Sequence, residues 1–226
     1  MINTLYSTRF QIFFYSLLIA IFGPLILPHP IYYTFISPLV LLVNLLTSFL
    51  VCSKNKKKLT LLFALFIATI LLYYNFDTEN ESSTISYLKY STGFVFYLIV
   101  SLELIKQIVT SRNVNTQTLF GLAAGYISLG LGGFFIYQGV ELYNPNSFSG
   151  LLVDAEQEPL KEDSLLYFSF VTLLTIGYGD IKPMTSIAQK ATILVGLTGQ
   201  FYIIFIMAIV MNKFNLLNKK EQNTEK

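Results

Sequence analysis

The sequence predicts an all-α membrane protein of six transmembrane helices, with a short re-entrant helical segment between the fifth and the sixth. Three observations predict it. Of 226 residues, 54% are hydrophobic and only 12% charged, with a mean hydropathy of +0.59, more apolar material than a soluble core of this length uses. A spanning helix needs about 20 mostly apolar residues, and six such stretches can be laid out, at 11–27, 31–52, 59–76, 86–108, 118–142 and 187–211. Between the last two lies an apolar insert, 164–180, too short to cross and ending in glycines. Non-helical backbone at membrane depth is tolerated where protein surrounds it or where it lines a watery cavity.

The first stretch, MINTLYSTRFQIFFYSLLIAIFG, starts weakly basic and has no small-residue cleavage site before GPLILPHP. It reads as a retained span that acts as an uncleaved signal anchor. The second ends at Cys52, the lone cysteine, which cannot form an intrachain disulfide and reads as an ordinary small apolar residue. KNKKK at 54–58 reads as a short loop whose lysines set topology and touch anionic lipid. In the fourth stretch Lys89 can snorkel outward, while Glu103 and Lys106 are spaced to pair on one face. The fifth carries Gly121 and Gly125 in small-xxx-small spacing, then Gly130, Gly132 and Gly133, a pattern that permits close contact with the sixth.

Charge orients these spans. With a cytoplasmic N-terminus, all but four of the 15 basic residues fall on inner segments, the exceptions being Lys89, Lys161, Lys182 and Lys190. That asymmetry obeys the positive-inside rule and puts both termini in the cytoplasm. The acids Asp77, Glu79, Glu81, Asp154, Glu156, Glu158, Glu162, Asp163 and Asp180 all fall outside. An acidic outer face raises the local concentration of cations.

The insert carries the chemistry. Thr175-Ile176-Gly177-Tyr178-Gly179-Asp180 follows Tyr167-Phe168-Ser169-Phe170-Val171-Thr172 and precedes Pro183. A plain glycine turn between helices would account for Gly-Tyr-Gly-Asp alone, but not for the apolar helical stretch Ser164–Leu174 that leads into it. Over about 164–212 the sequence resembles the pore loop and inner helix of the potassium channel superfamily, six-transmembrane type without a charged voltage-sensor helix. The physics of the hexapeptide agrees with that resemblance. Backbone carbonyls can replace the water shell of a potassium ion when several chains aim them at one axis. Successive carbonyls point the same way only if residues alternate into the left-handed region, where glycine is inexpensive. Gly177 and Gly179 supply that alternation, Ile176 and Tyr178 turn their side chains away to brace the segment, and Thr175 adds a hydroxyl oxygen.

By the resemblance, K+ sites lie at Thr175, Ile176, Gly177 and Tyr178, with Asp180 at the outer mouth. One chain offers one such strand, so a homotetramer in a lipid bilayer is expected, with K+ as the transported ion and no cofactor. Glu162, Asp163 and Ser164 suit the start of the pore helix, whose C-terminal end then favours a cation through its partial negative charge. Val171 stands where related pores often carry an acid that pairs with the filter aspartate, which leaves Tyr167 to reach Asp180.

The sixth stretch is the implied inner helix. Gly199 falls at the family's hinge position, and packing against the pore helix is an equal reading; Gly196 would join in that packing. Gln200, Ile203, Met207 and Met211 recur on one face. Gln200 would solvate an ion in the cavity, and the methionines would close a gate by dewetting, with helix packing as the alternative for this stripe. A voltage sensor needs about 3 to 4 gating charges per subunit, and 86–108 lacks them, so steep voltage dependence is not expected.

The implied domains are a four-helix region at 1–110 resembling a non-sensing voltage-sensor domain, a pore domain at 111–212 and a short basic cytoplasmic tail at 213–226. That tail is too short for a ligand-binding gating domain, so such control would come from a separate regulatory chain. The sequence carries no Walker loop, no Ser/His/Asp set and no paired Cys/His metal spacing, which argues against an enzyme. Nothing points to a nucleic acid, and His29 stands alone. The expected function is a potassium-selective channel in a plasma membrane, a prokaryotic one; the alternatives are a non-selective cation channel or a pore-loop subunit of a potassium transport system.

Overall fold

The computed structural model describes residues 8–26, 32, 36–52, 56–75, 83–111, 115–152 and 158–224. Their elements are α1 Arg9–Ile26, α2 Ser37–Cys52, α3 Lys56–Asn75, α4 Ser83–Thr110, α5 Thr116–Tyr143, β1 Phe148–Ser149, α6 Glu158–Leu173, β2 Lys182–Pro183 and α7 Ser186–Thr224. The two strands pair antiparallel, Phe148 opposite Pro183 and Ser149 opposite Lys182.

Among the described residues four helices, α1, α4, α5 and α7, are long and apolar enough to cross a membrane. The six-stretch reading is therefore met in part. α2 has 16 residues, about 24 Å at 1.5 Å per residue, short of a bilayer core of about 30 Å. α3 begins at Lys56, so three lysines read as loop form its first turn and leave a shorter apolar helix, Leu59–Thr69. His29, Lys54 and Arg112 lie outside the described residues.

Local chemistry sets the helix ends. Asn115 starts α5 by accepting from the Thr118 amide at 2.9 Å, while the Thr118 hydroxyl accepts from the Asn115 amide in a capping box. Pro24 inside α1 has no amide for the Ala20 carbonyl. The Tyr32 hydroxyl takes that role, donating to Ala20 O at 3.0 Å, and its ring lies where a side chain on Gly23 would stand.

Two apolar clusters hold the chain together. One joins α1, α2, α4 and α5 around Phe13, Leu17, Leu45, Val100 and Ala124. Within it Asn44, fully buried, donates to Ser16 Oγ at 3.1 Å and accepts from the Tyr97 hydroxyl at 3.0 Å. Polar side chains satisfied across helices in this way are compatible with an apolar surround. At the basic end, Gln107 accepts from Arg9 at 3.1 Å and donates to Glu103 and to Val51 O. On this helix Glu103 is buried and Lys106 exposed. The second cluster joins α5, α6 and α7 around Tyr137, Phe168, Leu173, Ala188 and Val195.

The glycines of α5 explain the close approach of its neighbours, though not of α7 alone. A side chain at Gly121 would meet Phe10, one at Gly125 Tyr202, one at Gly130 Phe170, and one at Gly133 Ser169 and Val195. α5 is thus packed on α1, α6 and α7 together.

Candidate functional site

α6 starts at Glu158, earlier than the acidic run at 162–164 suggests, which corrects the cap reading of those residues. Ser164 sits in the second turn, where its hydroxyl donates to Leu160 O at 2.8 Å and accepts from the Leu152 amide at 3.1 Å. Ser169, fully buried in the middle of the helix, donates to Gly130 O at 2.6 Å and locks α6 to α5.

The end of α6 explains how the glycine segment begins. The Ile176 amide donates to Val171 O at 2.9 Å and the Thr175 amide to Thr172 O at 3.0 Å. Thr175 has φ of +58°. These are the bonds and the left-handed residue of a Schellman cap, which usually carries glycine at that position. The Tyr126 hydroxyl takes the next carbonyl, donating to Leu173 O at 2.9 Å. The last carbonyls of α6 are therefore occupied, so its C-terminal end would act on a nearby cation through its field and not as a set of ligands.

From Thr175 the backbone alternates. Thr175, Gly177 and Gly179 have φ of +58°, +59° and +81°, and the residues between them do not have positive φ. Ile176 and Tyr178 are exposed, at 47% and 71%, so their side chains are only partly covered by the same chain. Behind the segment lies a cavity of about 380 Å³ between it, α6 and α7, lined by Val171, Thr172, Gly177, Asp180 and Thr192 among others.

The outer end of the segment is held twice. Tyr167 donates to Asp180 Oδ2 at 2.7 Å, and the Ile181 amide donates to Oδ1 at 3.0 Å. The Tyr167 bond holds the Asp180 carboxyl below its usual range, against the opposing effect of desolvation. The same bond pushes the Tyr167 phenol up to about 12. The second hold is the β1–β2 strap. Met184 N donates to Ser147 O at 2.8 Å, and Ser147 and Thr185 share a hydroxyl bond at 3.0 Å. Gly150, at φ +84°, approaches so closely that a Cβ there would stand 2.1 Å from Asp180 O. The strap is anchored in turn by Glu141, which is buried, accepts from the Asn146 amide at 3.0 Å and pairs with Lys161 at 3.1 Å. Nothing in the sequence pattern announces this strap, since each strand has only two residues.

On α7 the stripe Gln200, Ile203, Met207 and Met211 is exposed along one face, while Tyr202 and Ile206 turn inward. A Cβ on Gly199 would lie 2.6 Å from Leu173 O, whereas one on Gly196 would make only an ordinary contact at 3.9 Å. α7 runs on as a helix to Thr224, so the stretch read as a tail continues the inner helix. Just past Met211, Lys213 donates to Ile108 O, to Ser111 O at 2.7 Å and to the Ser111 hydroxyl, joining α7 to the C-terminal end of α4. Among the described residues no group of three His, Cys, Asp or Glu side chains gathers as a metal site.

Residues 151–215 match the model of a protein family described as Ion channel. The match begins just after β1, runs through α6, the glycine segment and β2 into α7, and leaves α1 to α5 outside it. No curated protein and no solved structure compared with the chain matches it. Over 151–215 the chain is similar to ion channels, and with four described helices long and apolar enough to cross a bilayer it has the make-up of a membrane protein.

Proposed function

We propose that this protein is a potassium-selective channel in which four copies present Thr175, Ile176, Gly177, Tyr178 and Gly179 to a common axis. The observation that carries the reading is the alternation of left-handed φ at residues 175, 177 and 179. This alternation turns successive peptide oxygens the same way, and rings of such oxygens substitute for the hydration of K+. Asp180 then stands at the outer mouth, and α6 acts as the pore helix.

Four-fold assembly is supported by α7. Only 17% of its spanning window is buried within the chain, against 28% to 39% in the other three spans. Its exposed faces, Phe201, Ile204 and Phe205 on one side and Ile203, Met207 and Met211 on another, are large and apolar, surface that on a spanning helix lies against lipid or against neighbouring copies, and α7 leaves more of it for such contacts than the other spans do. In this arrangement Gln200 faces the cavity and Met207 and Met211 form the inner constriction. α2 and α3 complete six crossings with both termini in the cytoplasm, as the lysine distribution asks.

The test is flux of K+ against Na+ through the full chain in liposomes. A Cβ on Gly177 meets nothing within 4 Å in its own chain, so Gly177→Ala leaves each chain's packing intact. It penalises the left-handed backbone by about 1–2 kcal/mol and crowds the axis, so selective flux is expected to vanish. Normal K+ over Na+ preference in that variant would overturn the carbonyl reading.

A further inference from the structure

We infer that the cavity between α4, α5 and α7 is a binding site for a small neutral molecule with an apolar body and one hydroxyl, such as a short alkanol or a phenol. The cavity measures about 190 Å³ and reaches the base of α6 at Leu173. Its residues come from the middle of the spans, so the surrounding medium is hydrocarbon and no charged side chain lines it. An apolar cavity of about 150 Å³ stays dry and takes benzene or xenon, so this one is large enough for a ring or a short chain.

The hydroxyl is specified by Ser101. Four residues lining the cavity bear hydroxyls, Tyr97, Ser101, Ser128 and Thr198, and that of Tyr97 is engaged by Asn44 at 3.0 Å. Ser128 donates to Ala124 O and Thr198 to Leu194 O, each at 2.8 Å, the usual turn-back onto the helix's own carbonyl. Ser101 is 1% exposed and its hydroxyl has no hydrogen-bond partner. A buried hydroxyl left unmatched in apolar surroundings is costly, and a ligand hydroxyl removes that cost whereas a pure hydrocarbon does not. Size, the lack of charge and one unmatched hydroxyl together select the class.

The site opens sideways past Leu98 and Leu194, both exposed, and Gly132 makes room in its wall, since a Cβ there would meet nothing within 4 Å. This inference does not rest on potassium conduction, and its readout is covalent labelling. The full chain in liposomes is irradiated with a diazirine-bearing short alkanol, and adducts are mapped by mass spectrometry. Saturable adducts on cavity residues such as Tyr97 and Leu173 are expected, displaced by 1-hexanol at a concentration about five- to tenfold below that of hexane, the worth of one hydrogen bond. Ser101→Ala should erase that preference, and Gly132→Leu, which fills the space, should erase the labelling. Should Gly132→Leu not fold, Ser101→Ala decides by itself, because it removes a single oxygen. Unsaturable adducts, adducts spread along lipid-facing residues, or equal displacement by hexanol and hexane in the native chain would overturn the site.

Discussion

A β-branched residue at φ +58° is an outlier, and Thr175 holds that position because two demands meet there. The Schellman cap of α6 requires a left-handed residue, while the proposed innermost ion site uses a hydroxyl oxygen that glycine lacks. Left-handed backbone costs a non-glycine residue about 1–2 kcal/mol. Thr175→Gly is therefore expected to stabilise the folded chain by about that amount while reducing K+ flux, as read by thermal denaturation and the liposome assay in parallel. A fall in stability would count against strain at this position. The Tyr167–Asp180 bond is the second residue-scale device. A lowered carboxyl value means that its contribution is present above the ordinary 3.8 and is lost as pH falls through the lowered value. The raised phenol works in the opposite sense, contributing below 10.0 and losing its proton toward about 12. The bond is thus intact across the neutral range. In Tyr167→Phe the carboxyl should titrate closer to its ordinary value, so acid loss of flux sets in at higher external pH than in the native chain; an unchanged acid limb would refute the role. Gly177 and Gly179 were legible in the sequence because glycine advertises positive φ. Thr175 was not, since its φ follows from cap bonds that no residue type signals.

Elements of the site differ in how much of them the sequence can specify. α6 was expected because an apolar stretch too short to span precedes the glycines. The β1–β2 strap was invisible because two-residue strands carry no period, and its tight contact joins Gly150 to a residue 30 positions away in sequence. Its importance can be measured. In Gly150→Ala a Cβ at 2.1 Å from Asp180 O cannot be accommodated without moving backbone, so the outer end of the filter should shift. The expected outcome is faster loss of conduction during sustained flux, with the chain still inserted in the membrane. Native-like sustained flux would show the strap to be incidental. Gly199 distinguishes two readings by sign. As a hinge alone it would tolerate alanine, which is about 1 kcal/mol better in a helix. As a packing glycine beside Leu173 O at 2.6 Å it should make Gly199→Ala destabilising by about 1–3 kcal/mol. The geometry favours the second, and a rise in thermal stability would restore the first.

At the scale of the whole molecule, α1 and α4 pack on α5, and among the first four helices Tyr97 donates to Asn44 and Gln107 donates to Val51 O across helices. Hydrophobic runs announce such helices but not their lengths or their polar ends: among the described residues four helices are long and apolar enough to span, while α2 has 16 residues and α3 carries three lysines in its first turn. What this region does to the pore depends on charge and on connection. α4 carries Lys89 near its outer end, and Glu103 and Lys106 in its inner third. Moving one elementary charge across the potential is worth about 2.3 kcal/mol per 100 mV, so Lys89 alone, already at an interface, couples weakly. Glu103 is fixed among buried partners and Lys106 already faces outward from the helix. Movement of α4 could still reach α7, because Lys213 holds the carbonyls at the α4 C-terminus. The mechanical link is thus present while the electrical lever is nearly absent. Conductance of the reconstituted channel should accordingly change little with voltage, and a steep sigmoid equivalent to about 3 to 4 charges per subunit would refute this. Lys213→Met should alter the open fraction at every voltage alike. A voltage-dependent shift in that variant would instead place moving charge in α4.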